Sequence, residues 1–280
     1  MTINNIIDLL RLKHWVKNFF IFIPVFFSIN TIELNLFELF NIFLLFSISA
    51  SIVYVVNDII DKKTDRKNKW KKKRPIANNS ITISEAKNII YALILILLVY
   101  IIVVKSIVIT LILFSYFFLN YIYTFFLKNS FPFNILLLLS FYYLRILAGS
   151  EYFEIYLSNW ILLFTLISSS ILIFGKKLID KKYNKKDKFN INYEKVIFFL
   201  VVLQLIVYSI FVYSDYSYEK YGEAFKFSII FVVLASLRYL NIIKKLNTTS
   251  DQVQIFLKDW ILLSSLIFYI TYLLFIFKVI

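Results

Sequence analysis

Long apolar stretches, separated by short polar segments, dominate the pattern of this chain. A helix needs about 20 mainly apolar residues to cross a membrane. The apolar runs are continuous and lack the alternation of a transmembrane barrel, so they predict helices rather than strands. The nine predicted spans are residues 15–30, 37–57, 86–104, 106–127, 132–150, 159–178, 195–214, 223–243 and 259–278.

These spans predict an all-α polytopic membrane protein, in which a bundle of nine transmembrane helices surrounds a central polar cavity. All nine can pack together, so we expect one domain over residues 1–280. The composition agrees, because 60% of the residues are hydrophobic and soluble domains contain only about half. We expect no cleavable signal peptide, because the first residues lack a basic head and a small-residue cleavage site.

Lys and Arg are concentrated in two of the polar segments. Residues 58–74 hold nine of them and residues 175–195 hold eight, whereas 31–36 and 151–158 hold none. The positive-inside rule therefore predicts a cytoplasmic N-terminus and first basic loop, and a C-terminus outside the inner (plasma) membrane. The net charge of +14 is thus explained without nucleic acid, and anionic lipid headgroups and phosphorylated substrates are the expected partners.

The residue types that are missing restrict the chemistry. The chain has no Cys and a single His, His14. Thiol catalysis, disulfides and zinc sites built from Cys or several His are therefore excluded. Carboxylates, amines, guanidinium groups and hydroxyls remain.

Three acids follow the second predicted span at a helical spacing. If that helix extends one or two turns past the bilayer, Asp58, Asp61 and Asp65 share one face. Their mutual repulsion favours a bound cation, and Mg²⁺ suits them because it binds through a few carboxylates together with substrate phosphate oxygens. Asn57 adds a neutral carbonyl ligand. These four residues are the candidate metal ligands, and the three acids are the candidate catalytic residues; the alternative is a helix end that carries solvated acids.

A basic cluster follows the acids. Arg74, fixed beside Pro75, is a candidate phosphate ligand because a guanidinium can bind two phosphate oxygens at once. The neighbouring run Lys71–Lys73 agrees equally well with an orientation signal at a cytoplasmic surface.

Other cations lie inside or next to the predicted spans. Arg145 lies deep in the fifth span, where a charge costs several kcal/mol unless it is paired or hydrated, so it indicates a functional group in a polar cavity. Lys17 lies just inside the first apolar stretch, where either snorkelling or a phosphate contact explains it. The remaining candidate phosphate ligands are Lys128, Lys176 and Arg238.

The sequence Asn57-Asp58-x-x-Asp61-x-x-x-Asp65, with Arg74-Pro75 downstream, resembles the UbiA-type intramembrane prenyltransferase superfamily. Within it, several segments along nearly the whole chain resemble the decaprenyl-phosphate phosphoribosyltransferase branch. These segments are Leu10–Asn18, Leu127-Lys128, Leu144–Gly149, Gly175–Lys177, Leu237–Leu240 and Leu257–Asp259. The chain departs from that branch at Asn134, where the branch commonly has Asp, and at Lys177, which replaces Arg.

The resemblance implies a magnesium-dependent membrane transferase. A polyprenyl phosphate would attack C1 of phosphoribosyl diphosphate and release diphosphate, giving a precursor of lipid-linked pentose donors for the cell wall. A second possibility in the same fold is prenyl transfer from a polyprenyl diphosphate to an aromatic or quinone-precursor acceptor, which the lack of a second aspartate cluster disfavours. A transporter or lipid-binding scaffold would leave the aspartate triad unexplained.

Overall fold

The computed structural model of the chain describes residues 2–33, 35–184, 191–245 and 257–277. Every regular element in these ranges is a helix, which confirms the all-α prediction. The α-helices are α1 (Ile3–Leu10), α2 (Phe22–Phe26), α3 (Leu36–Ile60), α4 (Lys62–Arg66), α5 (Ile83–Val104), α6 (Ile107–Ile122), α7 (Phe133–Tyr152), α8 (Asn159–Asn184), α9 (Tyr193–Val212), α10 (Asp215–Tyr221), α11 (Ile229–Lys245) and α12 (Trp260–Ile276). Three 3₁₀ helices and one π-helical turn join them, at Leu12–Ile21, Lys71–Lys73, Glu223–Ser228 and Tyr123–Leu127 respectively.

Seven helical stretches of the described chain are long and apolar enough to cross a membrane. They are Leu36–Ile60, Ile83–Val104, Ile107–Leu127, Phe133–Tyr152, Asn159–Lys181, Tyr193–Val212 and Glu223–Lys244. These stretches match the second to eighth predicted spans, whereas the predicted total of nine is not confirmed. The predicted span 259–278 corresponds to α12, which has only 17 residues.

The predicted first span, 15–30, is not one continuous α-helix. A 3₁₀ helix runs from Leu12 to Ile21 and the five-residue α2 follows it. Pro24 has no amide hydrogen to donate, which weakens the backbone bonding of a regular helix. Asn18 is 1% exposed and bonds to other polar side chains, so this apolar stretch also carries a buried polar group.

The described chain forms two compact units. One unit comprises residues 1–28 and 32–157, and the other comprises residues 29–31 and 158–280. In the first unit α3 is the central helix, because 67% of its most apolar window is buried, against 6% for α5. The apolar surface of α5 therefore remains available to lipid. Helices α3, α6 and α7 supply the core of this unit, which includes Ile42, Leu45, Phe46, Ile109, Leu113 and Leu144.

Gly149 allows two elements of the first unit to approach closely. A Cβ atom added at Gly149 of α7 would lie 1.9 Å from the carbonyl oxygen of Ile21. The 3₁₀ helix thus packs with its backbone directly against α7, which only glycine permits.

The second unit has its own core. Helices α8, α9, α11 and α12 contribute the apolar side chains Ile167, Ile171, Val201, Tyr239, Ile243 and Leu262. A buried hydrogen-bond group also lies there, because the Tyr208 hydroxyl is 2.7 Å from the Ser228 hydroxyl and 3.0 Å from the Tyr269 hydroxyl. Buried hydroxyls paired in this way avoid the cost of unsatisfied polar groups.

Candidate active site

Two acids of the sequence motif meet at one arginine. Asp58 lies near the end of α3 and Asp65 lies on α4, and both are almost fully buried. Arg74 Nη1 lies 3.0 Å from Asp58 Oδ1 and 2.7 Å from Asp65 Oδ2. The backbone of Arg74 is extended, with φ −61° and ψ 143°, as expected for a residue that precedes a proline. One guanidinium nitrogen therefore bridges the two carboxylates.

Arg11 is a second cation on Asp58. Its guanidinium donates to Asp58 Oδ1, and its Cζ lies 4.8 Å from the centre of the Tyr54 ring. The Ser51 hydroxyl donates to the Leu10 carbonyl at 2.9 Å. Because Ser51, Tyr54 and Asp58 share one face of α3, the chain around Arg11 is attached along that face. Arg11 has a φ of +52°, a left-handed conformation that is uncommon for residues other than glycine.

Asp61 has a different partner. It caps the end of α3, and Lys128 Nζ lies 2.6 Å from its Oδ1 and also contacts its Oδ2. Lys128 follows the π turn Tyr123–Leu127. Within that turn the Thr124 hydroxyl donates to Asn57 Oδ1 at 2.8 Å. The π turn thus brings two polar side chains to the acid motif, and such turns are frequent at functional sites.

The basic segment that contains Arg74 is held by defined hydrogen bonds. Arg66 Nε donates to the Ala77 carbonyl at 2.9 Å, and the Asn68 side chain accepts from two backbone amides of the next turn. Helix α5 then begins with a capping box between Thr82 and its third helical residue, a device that satisfies two otherwise unpaired backbone groups. The fold therefore fixes the position of Arg74.

Asp58 and Asp65 have the chemistry that a divalent cation requires, although both are now held by basic side chains. Asp58 Oδ2 is buried and accepts no hydrogen bond, so it has lone pairs available. Asp58 and Asp65 already share one cationic nitrogen, and carboxylate oxygens are the ligands that Mg²⁺ prefers. Among the described residues no group of three or more acidic or histidine side chains is arranged to hold a metal, and Asp61 contacts Lys128. A bound Mg²⁺ would therefore have to replace the present cations.

Asn134 contacts the backbone of Lys128. Its side chain is 3% exposed, and its Nδ2 donates to the Lys128 carbonyl at 3.3 Å. Its Oδ1 is buried without a hydrogen-bond partner. A neutral amide thus stands next to the lysine of the site, where the resemblance implied a carboxylate.

Arg145 lies in a buried polar cluster of the first unit. It donates to Asn18 Oδ1 at 2.7 Å, to the Phe141 carbonyl at 2.6 Å and to the Tyr116 hydroxyl at 3.5 Å. Asn18 in turn donates to the Ser47 hydroxyl at 2.9 Å. In the part of the chain that the structure describes, Arg145 has no carboxylate within ion-pair distance. Within the described residues its hydrogen-bond partners are neutral groups.

The other predicted phosphate ligands, Lys17, Lys176 and Arg238, lie on elements other than those that carry the acids. Lys17 is half-buried on the 3₁₀ helix of the first unit, and Lys176 is exposed on α8 of the second. Arg238 of α11 pairs with Asp259, with 2.7 Å between Nη2 and Oδ2. The hydrogen bond from Arg238 holds the pKa of the Asp259 carboxyl below its usual value. The phosphate-binding roles of Lys17, Lys176 and Arg238 stay predictions.

Sequence reasoning missed two residues that contact the acid motif. Arg11 lies in the segment Leu10–Asn18 that carries the resemblance, but no role was predicted for it or for Thr124. The left-handed backbone of Arg11 and the π turn around Thr124 have no simple sequence signal. Their contacts with Asp58 and Asn57 join residues 47 and 67 positions apart, so they depend on the tertiary fold.

Two curated proteins that resemble this chain have the same name as each other. Decaprenyl-phosphate phosphoribosyltransferase of Corynebacterium glutamicum is 28% identical over 181 residues, which cover 63% of this chain and 54% of that protein. Its namesake from Mycobacterium tuberculosis is 25% identical over 181 residues, with 62% and 59% covered. The match thus spans between about half and three fifths of the length of these relatives.

Solved structures show the same fold. A UbiA homolog from Archaeoglobus fulgidus bound to GPP and Mg²⁺ has a TM-score of 0.68 at 16% identity, with 98% of this chain and 99% of that chain covered. A structure of digeranylgeranylglyceryl phosphate synthase has a TM-score of 0.62 at 20% identity, with 98% of each chain covered. A sequence profile described as the UbiA prenyltransferase family matches residues 19–266. The chain therefore belongs to the UbiA prenyltransferase family.

Proposed function

We propose that this protein transfers 5-phosphoribosyl from phosphoribosyl diphosphate to a polyprenyl phosphate and releases diphosphate. The reaction takes place at the cytoplasmic side of the inner membrane, in a single domain over residues 1–280. The observation that carries the proposal is the matched set of acids and cations around Asp58, Asp61 and Asp65. The name shared by the two curated relatives supports the choice of donor and acceptor.

The composition of the site favours one metal-bound diphosphate and one separate phosphate. Asp58, Asp61 and Asp65 supply the acids, whereas the stretch between α6 and α7 supplies Lys128 and the start of α7 supplies the neutral Asn134. A prenyl diphosphate held between two metal sites would call for a second cluster of acids. The cations instead suit two phosphorylated substrates, because ammonium and guanidinium groups bind phosphate oxygens strongly.

In the reaction, an oxygen of the lipid phosphate forms a bond to C1 of the ribose, and the bond from C1 to the diphosphate oxygen breaks. The electron pair of that bond leaves with the diphosphate. Asp58, Asp61 and Asp65, with Asn57, would hold Mg²⁺, which when bound neutralises negative charge on the leaving group. Arg74 and Lys128 bind phosphate oxygens of the donor.

Positioning and charge neutralisation account for the catalysis. The lipid phosphate is an anion at neutral pH, so the nucleophile needs no strong base. Holding the two reactants in line removes much of the entropic cost of their encounter. Fixed cations such as Arg145 and Lys17 then stabilise charge without reorganising in the transition state.

The reaction is tested with purified protein and two sets of substrates. We expect a labelled lipid from radioactive phosphoribosyl diphosphate and a polyprenyl phosphate when Mg²⁺ is present, and none after chelation. The alternative, prenyl transfer, predicts a labelled product only from a polyprenyl diphosphate and an aromatic acid. That second outcome would overturn the proposal.

Variants of the acids test the site itself. Asp58→Asn and Asp61→Asn keep the side-chain shape but lose a negative charge, so we expect product formation to fall by at least about a hundredfold. Asp8→Asn is the matched control, since Asp8 is an exposed acid of α1. Size-exclusion profiles verify that the variants remain folded. Wild-type turnover in both site variants would show that these acids only support the local structure.

A further inference from the structure

The acids and cations of the candidate site are equal in number. Each acid of the motif contacts at least one basic side chain, and two of the acids are almost fully buried. The contacts pair Asp58 with Arg11 and Arg74, Asp65 with Arg74, and Asp61 with Lys128. Three negative charges therefore face three positive charges.

We propose that Arg11, Arg74 and Lys128 make the binding of Mg²⁺ and of diphosphate mutually dependent. The three basic side chains neutralise the acids while no diphosphate is bound. When diphosphate binds, these side chains move to its oxygens, and the acids bind the metal. This inference rests on the metal-diphosphate part of the proposed function, and it concerns the order and coupling of binding rather than the identity of the donor.

Neither ligand binds well by itself. A metal ion alone must displace cations such as Arg11, which would then lie partly buried without a counter-charge. A diphosphate alone must draw the same cations away and leave Asp58 and Asp65 buried and unpaired. Removing one partner from a buried ion pair is strongly unfavourable, because the other charge stays uncompensated. When both ligands bind, every charge of the site again has a partner.

Arg11 is the residue most directly suited to this exchange. Asp58 Oδ1 accepts hydrogen bonds from both Arg11 and Arg74. Arg74 therefore still neutralises Asp58 while the Arg11 guanidinium moves from Asp58 to the diphosphate. Arg11 also lies over the Tyr54 ring, which holds its guanidinium at α3 after Asp58 has released it. The left-handed backbone at Arg11 costs free energy, and the contacts of its side chain offset that cost.

The coupling is measured by titrating Mg²⁺ into the full-length protein in detergent, first alone and then with inorganic diphosphate. For the wild type we expect weak binding of Mg²⁺ alone, and binding at least about tenfold tighter with diphosphate, after allowance for the magnesium diphosphate complex in solution. Coupling of two binding sites is reciprocal, so diphosphate alone, with a chelator present, should also bind weakly.

Removing one of the basic side chains paired with the acids should leave a carboxylate available to the metal. Arg11→Gln frees one contact of Asp58, so we expect Mg²⁺ alone to bind about tenfold tighter than to the wild type. Lys13→Gln is the matched control, because it removes an exposed charge two residues away and should leave the affinity unchanged. Lys128→Met tests the same idea at Asp61, and it decides the matter if Arg11→Gln does not fold.

The outcomes separate this inference from the proposed function. If the wild type binds Mg²⁺ alone as tightly as with diphosphate, or if neither variant tightens Mg²⁺ binding, the exchange is wrong even where phosphoribosyl transfer is observed. If the coupling is found without any phosphoribosyl product, the exchange stands and the donor assignment fails.

Discussion

The contact between Gly149 and the Ile21 carbonyl makes a quantitative prediction for Gly149→Ala. The new methyl group would lie 1.9 Å from the Ile21 oxygen, whereas ordinary contacts begin at 3.4 Å. The 3₁₀ helix would therefore have to move away from α7 by about 1.5 Å, the difference between these two distances. The obstructing atom belongs to the backbone, so no side-chain rotation can relieve the clash.

Two effects of this substitution oppose each other. Alanine in place of glycine inside a helix stabilises it by about 1 kcal/mol. Overpacking costs about 1–3 kcal/mol and occasionally more, and the large displacement puts Gly149→Ala at the upper end of that range. The net loss should be about 2 kcal/mol, which lowers Tm by about 4–8 °C for a unit of this size.

Thermal unfolding in detergent, followed by circular dichroism, measures this loss. Gly222→Ala is the control for the activity measurement, because a Cβ atom there meets nothing within 4 Å and the substitution acts only through backbone strain at a φ of +80°, which costs about 1–3 kcal/mol. The Ile21 shift also moves Asn18, an acceptor of Arg145, so transfer activity should fall in Gly149→Ala alone. An unchanged or raised Tm for Gly149→Ala would show that the close packing of α7 is absent.

Two further predictions concern charges outside the acid motif. Arg145→Met removes a buried cation that has no acidic partner among the described residues, so we expect the free energy of unfolding to change by less than about 1 kcal/mol while transfer falls at least about tenfold. A large fall in Tm would instead make Arg145 a structural residue. Asp259 has a lowered pKa, so its pairing with Arg238 stabilises the fold above the ordinary pKa of 3.8 and is lost as the pH falls through the lowered value. Asp259→Asn should therefore lower Tm slightly at pH 7, by the equivalent of less than about 1 kcal/mol, with a difference that shrinks below pH 4; a difference that grows on acidification would refute this sign.

The long helices were predictable because a membrane-spanning helix needs a continuous apolar segment, and the local sequence shows such segments directly. The predicted span 86–104 lies within α5 (Ile83–Val104), and 132–150 corresponds to α7 (Phe133–Tyr152). The span 15–30 is not confirmed as one α-helix, because hydrophobicity alone does not report that a 3₁₀ helix, with the buried Asn18, precedes the short α2. The single domain over 1–280 stays a prediction.

The acid motif could be read from its spacing, but its partners could not. Nothing near Asp61 in the sequence indicates that Lys128, 67 residues away, will hold its carboxylate. Arg74 was the exception, since it lies close in sequence and its proline neighbour restricts its backbone. Contacts between side chains that are distant in sequence depend on the packing of the whole unit. No local sequence pattern records that packing.

The π turn Tyr123–Leu127 has a geometric consequence for the lysine that follows it. A turn closed by i→i+5 bonds takes up one residue more than an α-helical turn, and one residue corresponds to a rotation of about 100° around the helix axis. Shortening the turn by one residue would give a more regular helix and would swing the Lys128 ammonium away from Asp61. The π turn thus interrupts the regular helix, and this interruption directs the Lys128 ammonium toward Asp61.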